Sequence, residues 1–127
     1  MKNVKIVIAH RMGKGQNVAK GVEAAGGTAI VVPGIGADMK LGDVMKTEEG
    51  ADTRIGISVS KKVGNSGGGG GAMAAQNKYG FKAIYDMRSI QAGVNAVKNG
   101  YEALGFGFMD TEELGKAITE AYIKYRM

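Results

Sequence analysis

Two short segments hold most of the residues able to do chemistry. The first is HRMGKGQ, residues 10–16, which sets His10, Arg11, Lys14 and Gln16 among glycines. An imidazole can move protons near neutral pH or hydrogen-bond a ligand. A guanidinium suits a bidentate phosphate or carboxylate, and a lysine adds a point charge. The second segment is SKKVGNSGGGGGAM, residues 60–73. Lys61 and Lys62 supply charge there, and Asn65 and Ser66 supply side-chain hydrogen bonds. Gly67, Gly68, Gly69, Gly70 and Gly71 let successive backbone N–H groups turn toward one point. A helix starting directly after such a run adds its own N-terminal donors and completes an anion cradle. The other reading of the run is a loop without a ligand, because ordering successive glycines costs much conformational entropy. The segment is neither a Walker loop, which needs Gly-Lys-Ser/Thr, nor the G-x-G-x-x-G turn of dinucleotide sites.

His10 is the chain's single histidine. It stands either as an acid/base group or as a surface residue without a role. It has no acidic or thiol neighbours in sequence to complete a metal site, so no metal and no cofactor are expected. Arg88 precedes a helix start, where a capping or surface role competes with a ligand contact.

The elements that must position these residues alternate. Val4 to Ala9 is a β-branched apolar run of buried-strand length. Asn17 to Ala25 has helical spacing and ends on Gly26-Gly27. Thr28 to Val32 is a second strand stopped by Pro33-Gly34. Asp38 to Lys46 reads as a short helix and Arg54 to Val59 as the third strand. Ala72 to Tyr79 is a helix, Phe81 to Tyr85 the fourth strand and Ser89 to Lys98 a helix. Ala103 to Phe108 is the fifth strand. Asp110 or Thr111 then caps the last helix, with acids in its first turn. Five strand–helix alternations predict an α/β fold: a three-layer αβα sandwich with a five-stranded parallel sheet, flavodoxin- or Rossmann-like, in the order 2-1-3-4-5. Residues 1–127 form one domain in this reading. Strand order then reverses between the first and third strands, and ligands bind at such a point, outside the carboxyl ends of the strands. The loops that meet there are the two singled out above.

Composition bounds the rest. The chain has 127 residues, of which 44% are apolar, which is enough for a core without cross-links. The absence of cysteine excludes disulfides, thiolate metal sites and a thiol nucleophile. Against 12 acidic residues stand 17 basic ones, spread along the chain. That balance favours a small anionic ligand. Aromatic and basic residues do not interleave as a nucleic-acid stacking surface requires, so no nucleic acid is expected. Neither a signal peptide nor a membrane-length apolar run is present, so direct membrane insertion is not expected and a cytoplasmic location is.

GADTRIGISVS, NSGGGGGAMAAQNKYGFKA and ALGFGFMDTEELGKAITEAY resemble the glycine-rich bacterial family named for an SFCGS motif. HRMGKGQNVAKGVEAAGGTAIVVPGIGADMKLGDVM fits the amino-terminal half of that family, so the likeness runs along nearly the whole chain. Members tend to be encoded beside proteins of sugar uptake and sugar-acid catabolism, which implies a role there. The middle and end are also similar to the ribose-5-phosphate isomerase B and galactose-6-phosphate isomerase group. Those enzymes place a Cys-Gly-rich loop after a strand and then a helix of small residues with Asn-Lys, here AMAAQNK. The resemblance implies a phosphorylated-sugar ligand, a homodimer with sites at subunit interfaces, and aldose–ketose isomerisation in which the loop cysteine moves a proton. Here SVSKKVGNS occupies that position and Ser66 lies nearest the missing cysteine. An unassisted serine is a poor base, which leaves His10 as the acid/base candidate. HRMGKGQNV further resembles the phosphohistidine loop of mannose-type phosphotransferase IIB subunits, with Lys14 at the phosphorylated position. Lysine is protonated at neutral pH and takes that role poorly. This likeness implies an alternative, a non-catalytic accessory or IIB-like subunit of a sugar transport system.

Overall fold

Apolar runs at strand length and amphipathic stretches at helix length alternate in the computed structural model as the pattern requires. The structure describes residues 4–47, 55–60, 70–107 and 110–127. The strands are β1 (Lys5–His10), β2 (Thr28–Val32), β3 (Ile55–Val59), β4 (Ala83–Met87) and β5 (Ala103–Phe106). The helices are α1 (Gln16–Ala24), α2 (Leu41–Thr47), α3 (Gly70–Tyr79), α4 (Ile90–Lys98) and α5 (Glu112–Arg126), and a 3-10 turn, Ala37–Lys40, leads into α2. All pairings are parallel, and the order is β2-β1-β3-β5-β4.

The α/β parallel-sheet architecture is therefore as expected, with the last two strands exchanged relative to the predicted 2-1-3-4-5. Burial explains the exchange. β5 reads ALGF and is buried throughout, as an interior strand of a parallel sheet must be. β4 reads AIYDM, with Tyr85 and Asp86 exposed, and its register with β5 breaks between Ile84 and Met87. Polar, irregular strands belong at edges. The fourth strand also starts two residues later than its apolar pattern suggests.

Alternate side chains of β1 feed two cores. Ile6 and Ile8 join Val18, Val22, Leu114 and Ile118 under α1, α4 and α5. Val7 and Ala9 join Leu41, Met45, Ala72 and Ala75 under α2 and α3. Helices α1 and α5 touch backbone to backbone. A Cβ on Gly115 would lie 1.9 Å from the Val18 carbonyl oxygen, and one on Gly21 would lie 1.9 Å from that of Glu112. On the other face, Asp43 Oδ1 ties α2 to α3 by accepting from Lys78 Nζ at 2.8 Å and from the Tyr79 hydroxyl at 2.6 Å. The Lys78 bond, then the Tyr79 bond, hold the Asp43 carboxyl below its ordinary pKa. The same bonds to Asp43 raise Lys78 and Tyr79 above theirs.

Candidate functional site

The exchange of β4 and β5 leaves β1 beside β3, so the reversal point still lies between their carboxyl ends. His10 closes β1. Its Nδ1 accepts the Met12 N–H at 3.0 Å and its carbonyl accepts the Gly13 N–H at 2.9 Å, which folds the chain into a tight turn. With Nδ1 accepting, a neutral His10 ring carries its proton on Nε2. The Arg11 backbone is pinned on both sides: its N–H donates to Val59 O at 3.0 Å, and its carbonyl accepts from Gly36 N–H at 2.6 Å. Its side chain is exposed, as are those of Lys14 and Gln16. Gly13, at φ 76°, lies so close to Gly34 that a Cβ would sit 2.9 Å from that backbone. The loops after β1 and β2 therefore stack directly on each other. Only glycine satisfies both the left-handed conformation and the approach.

Gln16 opens α1, whose preceding residue, Gly15, provides no side-chain cap. The missing acceptor comes from across the fold. Asp110 Oδ1 accepts the Val18 N–H at 3.3 Å, and the Asp110 carbonyl accepts from Asn17 Nδ2 at 3.3 Å. A carboxylate thus already faces the positive end of this helix. Thr111, not Asp110, caps α5, with its hydroxyl accepting from Leu114 N–H at 3.2 Å.

Lys61, Lys62, Asn65, Ser66, Gly67, Gly68 and Gly69 lie outside the described residues. Gly70 and Gly71 are not loop residues, as the run suggested, but the first turn of α3. Packing overrides glycine's poor helix propensity here. A Cβ at Gly71 would lie 2.1 Å from the Asp38 carbonyl oxygen and 2.6 Å from Ser58 Oγ, so no larger residue fits. One at Gly70 would be 3.8 Å from Asp38 Oδ2. The start of α3 is thus set against Asp38, which is 7% exposed, and Ser58, which is fully buried. The Ser58 hydroxyl has no hydrogen-bond partner among the described residues. Leaving such a group unpaired costs about 1–3 kcal/mol.

Sequence reasoning passed over both residues. Asp38 read as a helix start and Ser58 as an ordinary strand residue. The available signal was a lone polar side chain in the apolar run IGISV.

Arg88 follows the edge strand β4, one strand further from β3 than predicted. It pairs with Asp86 at 2.9 Å and lies over Gly107, after β5, where a Cβ would be 3.2 Å from its guanidinium. Asp86 adopts a left-handed φ of 62° to make this turn. The capping role falls to Ser89, whose hydroxyl accepts from Ala92 N–H at 3.1 Å. The structure thus gathers Arg11, Lys14 and Gln16 beside His10, stacks the β2 loop against them, and brings the start of α3 onto Asp38 in that same segment. Arg88 stands at the far side of β5. Among the described residues no group of three His, Cys, Asp or Glu could hold a metal ion, and no helix is long and apolar enough to cross a membrane.

A parallel sheet of this order, with helices on both faces, is the fold of the ribose-5-phosphate isomerase B proteins. The type B ribose 5-phosphate isomerase of Trypanosoma brucei superposes with a TM-score of 0.68 at 18% identity, covering 96% of this chain and 86% of that one. Ribose-5-phosphate isomerase B of Mycoplasma genitalium, solved with bound ribulose-5-phosphate, gives 0.64 at 15% identity over 98% and 86%. A 4-deoxy-L-threo-5-hexosulose-uronate ketol-isomerase complexed with a tartrate gives 0.64 at 15% identity over 95% and 64%. At these identities the likeness carries the fold alone. The model of the glycine-rich SFCGS family matches residues 4–125, and the chain belongs to that family. No curated protein matches it in sequence.

Proposed function

We propose that the protein binds a phosphorylated sugar or similar anion at the carboxyl ends of β1 and β3, and acts in sugar or sugar-acid catabolism in the cytoplasm. One observation carries this reading: the exposed cations Arg11 and Lys14 flank a turn whose backbone is pinned to β3 and to the β2 loop. A rigid basic turn at a strand-order reversal suits an anion with a polar body. Lys61, Lys62, Asn65, Ser66 and Gly67 to Gly69 are further ligand-binding candidates in this reading, and Arg88 approaches from the β5 side. The ribulose-5-phosphate bound in one neighbour of the same fold supports the ligand class.

Calorimetry at low salt with ribose 5-phosphate, ribulose 5-phosphate, galactose 6-phosphate and 6-phosphogluconate tests it. At least one should bind, and Arg11→Ala should weaken that binding by about tenfold, the worth of one charge-assisted contact. No binding across the set refutes the reading. The second reading, an aldose–ketose isomerase, is favoured by the ketol-isomerase neighbours, and His10 and Ser66 are its acid/base candidates from sequence. A homodimer goes with either reading. Met12, Ile35 and Met39 are exposed around the site and would be covered in it, which sedimentation across a concentration series checks.

A further inference from the structure

Asp38 and Ser58 are the described residues whose burial the fold leaves without a reason. A carboxylate is rarely this buried without a partner, and among the described residues Asp38 has no side-chain hydrogen bond or ion pair. The Ser58 hydroxyl is fully buried and, among the described residues, unpaired. Both lie at the first turn of α3, and Gly71 is held there against the Asp38 carbonyl and Ser58 Oγ together. Gly70 is exposed, and Met39, whose Sδ is 3.2 Å from where a Gly70 Cβ would be, is 55% exposed. The carboxylate therefore lies beside exposed Gly70, with Oδ2 3.8 Å from where its Cβ would be, in the segment whose other end, Gly36, hydrogen-bonds Arg11.

We infer that Asp38 is the proton-transfer base of this site, with Ser58 set against the same first turn of α3, and that the ligand's phosphate binds at the Arg11–Lys14 turn and not at the start of α3. This rests on the proposed sugar-phosphate site and gives that site a direction. A helix N-terminus ordinarily attracts an anion. The start of α3 already faces a carboxylate, and a phosphate beside it would bring like charges together away from water. The uncharged end of an open-chain aldose phosphate, carrying the C1 carbonyl and C2 hydroxyl, fits there instead. The balance is simple. The Asp38 carboxylate takes the proton from C2, the C2–H electron pair forms the C1–C2 double bond, and the C1 oxygen accepts a proton. The resulting enediol loses its O2 proton as C1 takes the proton back from Asp38. The net result is an aldose turned into a ketose, with no oxidant or reductant. The carboxylate fills the role for which the sequence offers no cysteine.

The test uses the full chain with ribose 5-phosphate in deuterium oxide. Proton NMR follows loss of the C2 hydrogen and calorimetry follows binding. Asp38→Asn removes the base but keeps the shape. It should keep binding within about threefold while slowing exchange at least about a hundredfold, the usual weight of a general base. Gly70→Ala is the second variant, because alanine suits a helix and its methyl would shield the carboxylate without touching the basic turn. It should slow exchange with binding intact and lets the idea be judged even where Asp38→Asn fails to fold. Exchange unchanged in both variants overturns the assignment, and so does a wild-type protein that binds without exchanging. A wild-type protein that does not bind overturns the underlying site as well. Exchange that vanishes only together with binding in Asp38→Asn shows a ligand contact and overturns the base.

Discussion

The contact between α1 and α5 makes Gly115→Ala the most informative test of the packing. The added Cβ would lie 1.9 Å from the Val18 carbonyl oxygen, and ordinary contact begins near 3.4 Å, so the helices must separate by about 1.5 Å. Both sides of the clash are backbone, so no rotamer change can relieve it. Separation loosens Val18, Val22, Leu114 and Ile118, all fully buried between these helices and the sheet. Overpacking a core costs about 1–3 kcal/mol, and a backbone clash belongs at the upper end. Against this, replacing glycine by alanine within a helix gains about 1 kcal/mol. The net expectation is a loss of about 2 kcal/mol, equivalent to roughly 8 °C in Tm for a chain of this size. Thermal and urea unfolding followed by circular dichroism measure it. Gly70→Ala is the control: the same substitution in the first turn of α3, where the Cβ meets the movable Met39 Sδ at 3.2 Å and Asp38 Oδ2 at an ordinary 3.8 Å. It should be neutral or stabilising by up to about 1 kcal/mol. A Gly115→Ala protein that melts at or above the wild type refutes the packing argument.

The α2–α3 tie makes a signed pH prediction. Asp43 is held below its ordinary pKa of 3.8, so its contribution is present above that value and is lost as pH falls through the lowered one. Lys78 and Tyr79 are raised above 10.5 and 10.0, so theirs is present below those values and is lost as pH rises through the raised ones. The stability gap between wild type and Asp43→Asn should therefore be flat from about pH 5 to 9 and close at both extremes; urea midpoints across pH check it, and a gap that persists unchanged to pH 2 contradicts it. Thr111→Ala removes the α5 cap and should cost about 1 kcal/mol in urea unfolding. Ser58→Ala removes an unpaired buried hydroxyl and should raise stability by about 1 kcal/mol, so a lower Tm would mean that the hydroxyl has a partner in solution.

Much of the architecture was legible because strand and helix periods alternate cleanly in this chain. The strand order was less so. Which of β4 and β5 lies inside depends on comparing ALGF with AIYDM as neighbours, and a left-to-right reading treats them alike. The glycine run was legible as a feature and misread at its end, because helix propensity argues against Gly70 and Gly71 while the backbone of Asp38 admits nothing larger. The basic turn was read from residue types alone, and its partners, Val59 and Gly36, are set by register. Asp38 and Ser58 escaped notice because their distinction is a missing hydrogen bond, which sequence does not contain. Asp110 reads as a cap for the last helix, and its place at α1 escaped for a related reason: it caps a helix more than ninety positions away, and local capping rules look only to the next turn.

The two edges of the sheet are guarded unequally. At β4 the left-handed Asp86 and the break in register twist the outer backbone away from any strand that might add to it. β2 is covered at one point, where its Ala29 N–H donates to Glu23 Oε1 at 3.2 Å. It reads TAIVV, with no charge and high β propensity, and among the described residues it pairs with β1 alone. Short uncharged segments of this kind template further strands when they are uncovered. Partial unfolding that lifts the β2 loop or α1 therefore exposes the chain's point of entry into aggregation at β2, and Pro33, directly after it, is the residue that limits how far such pairing can run.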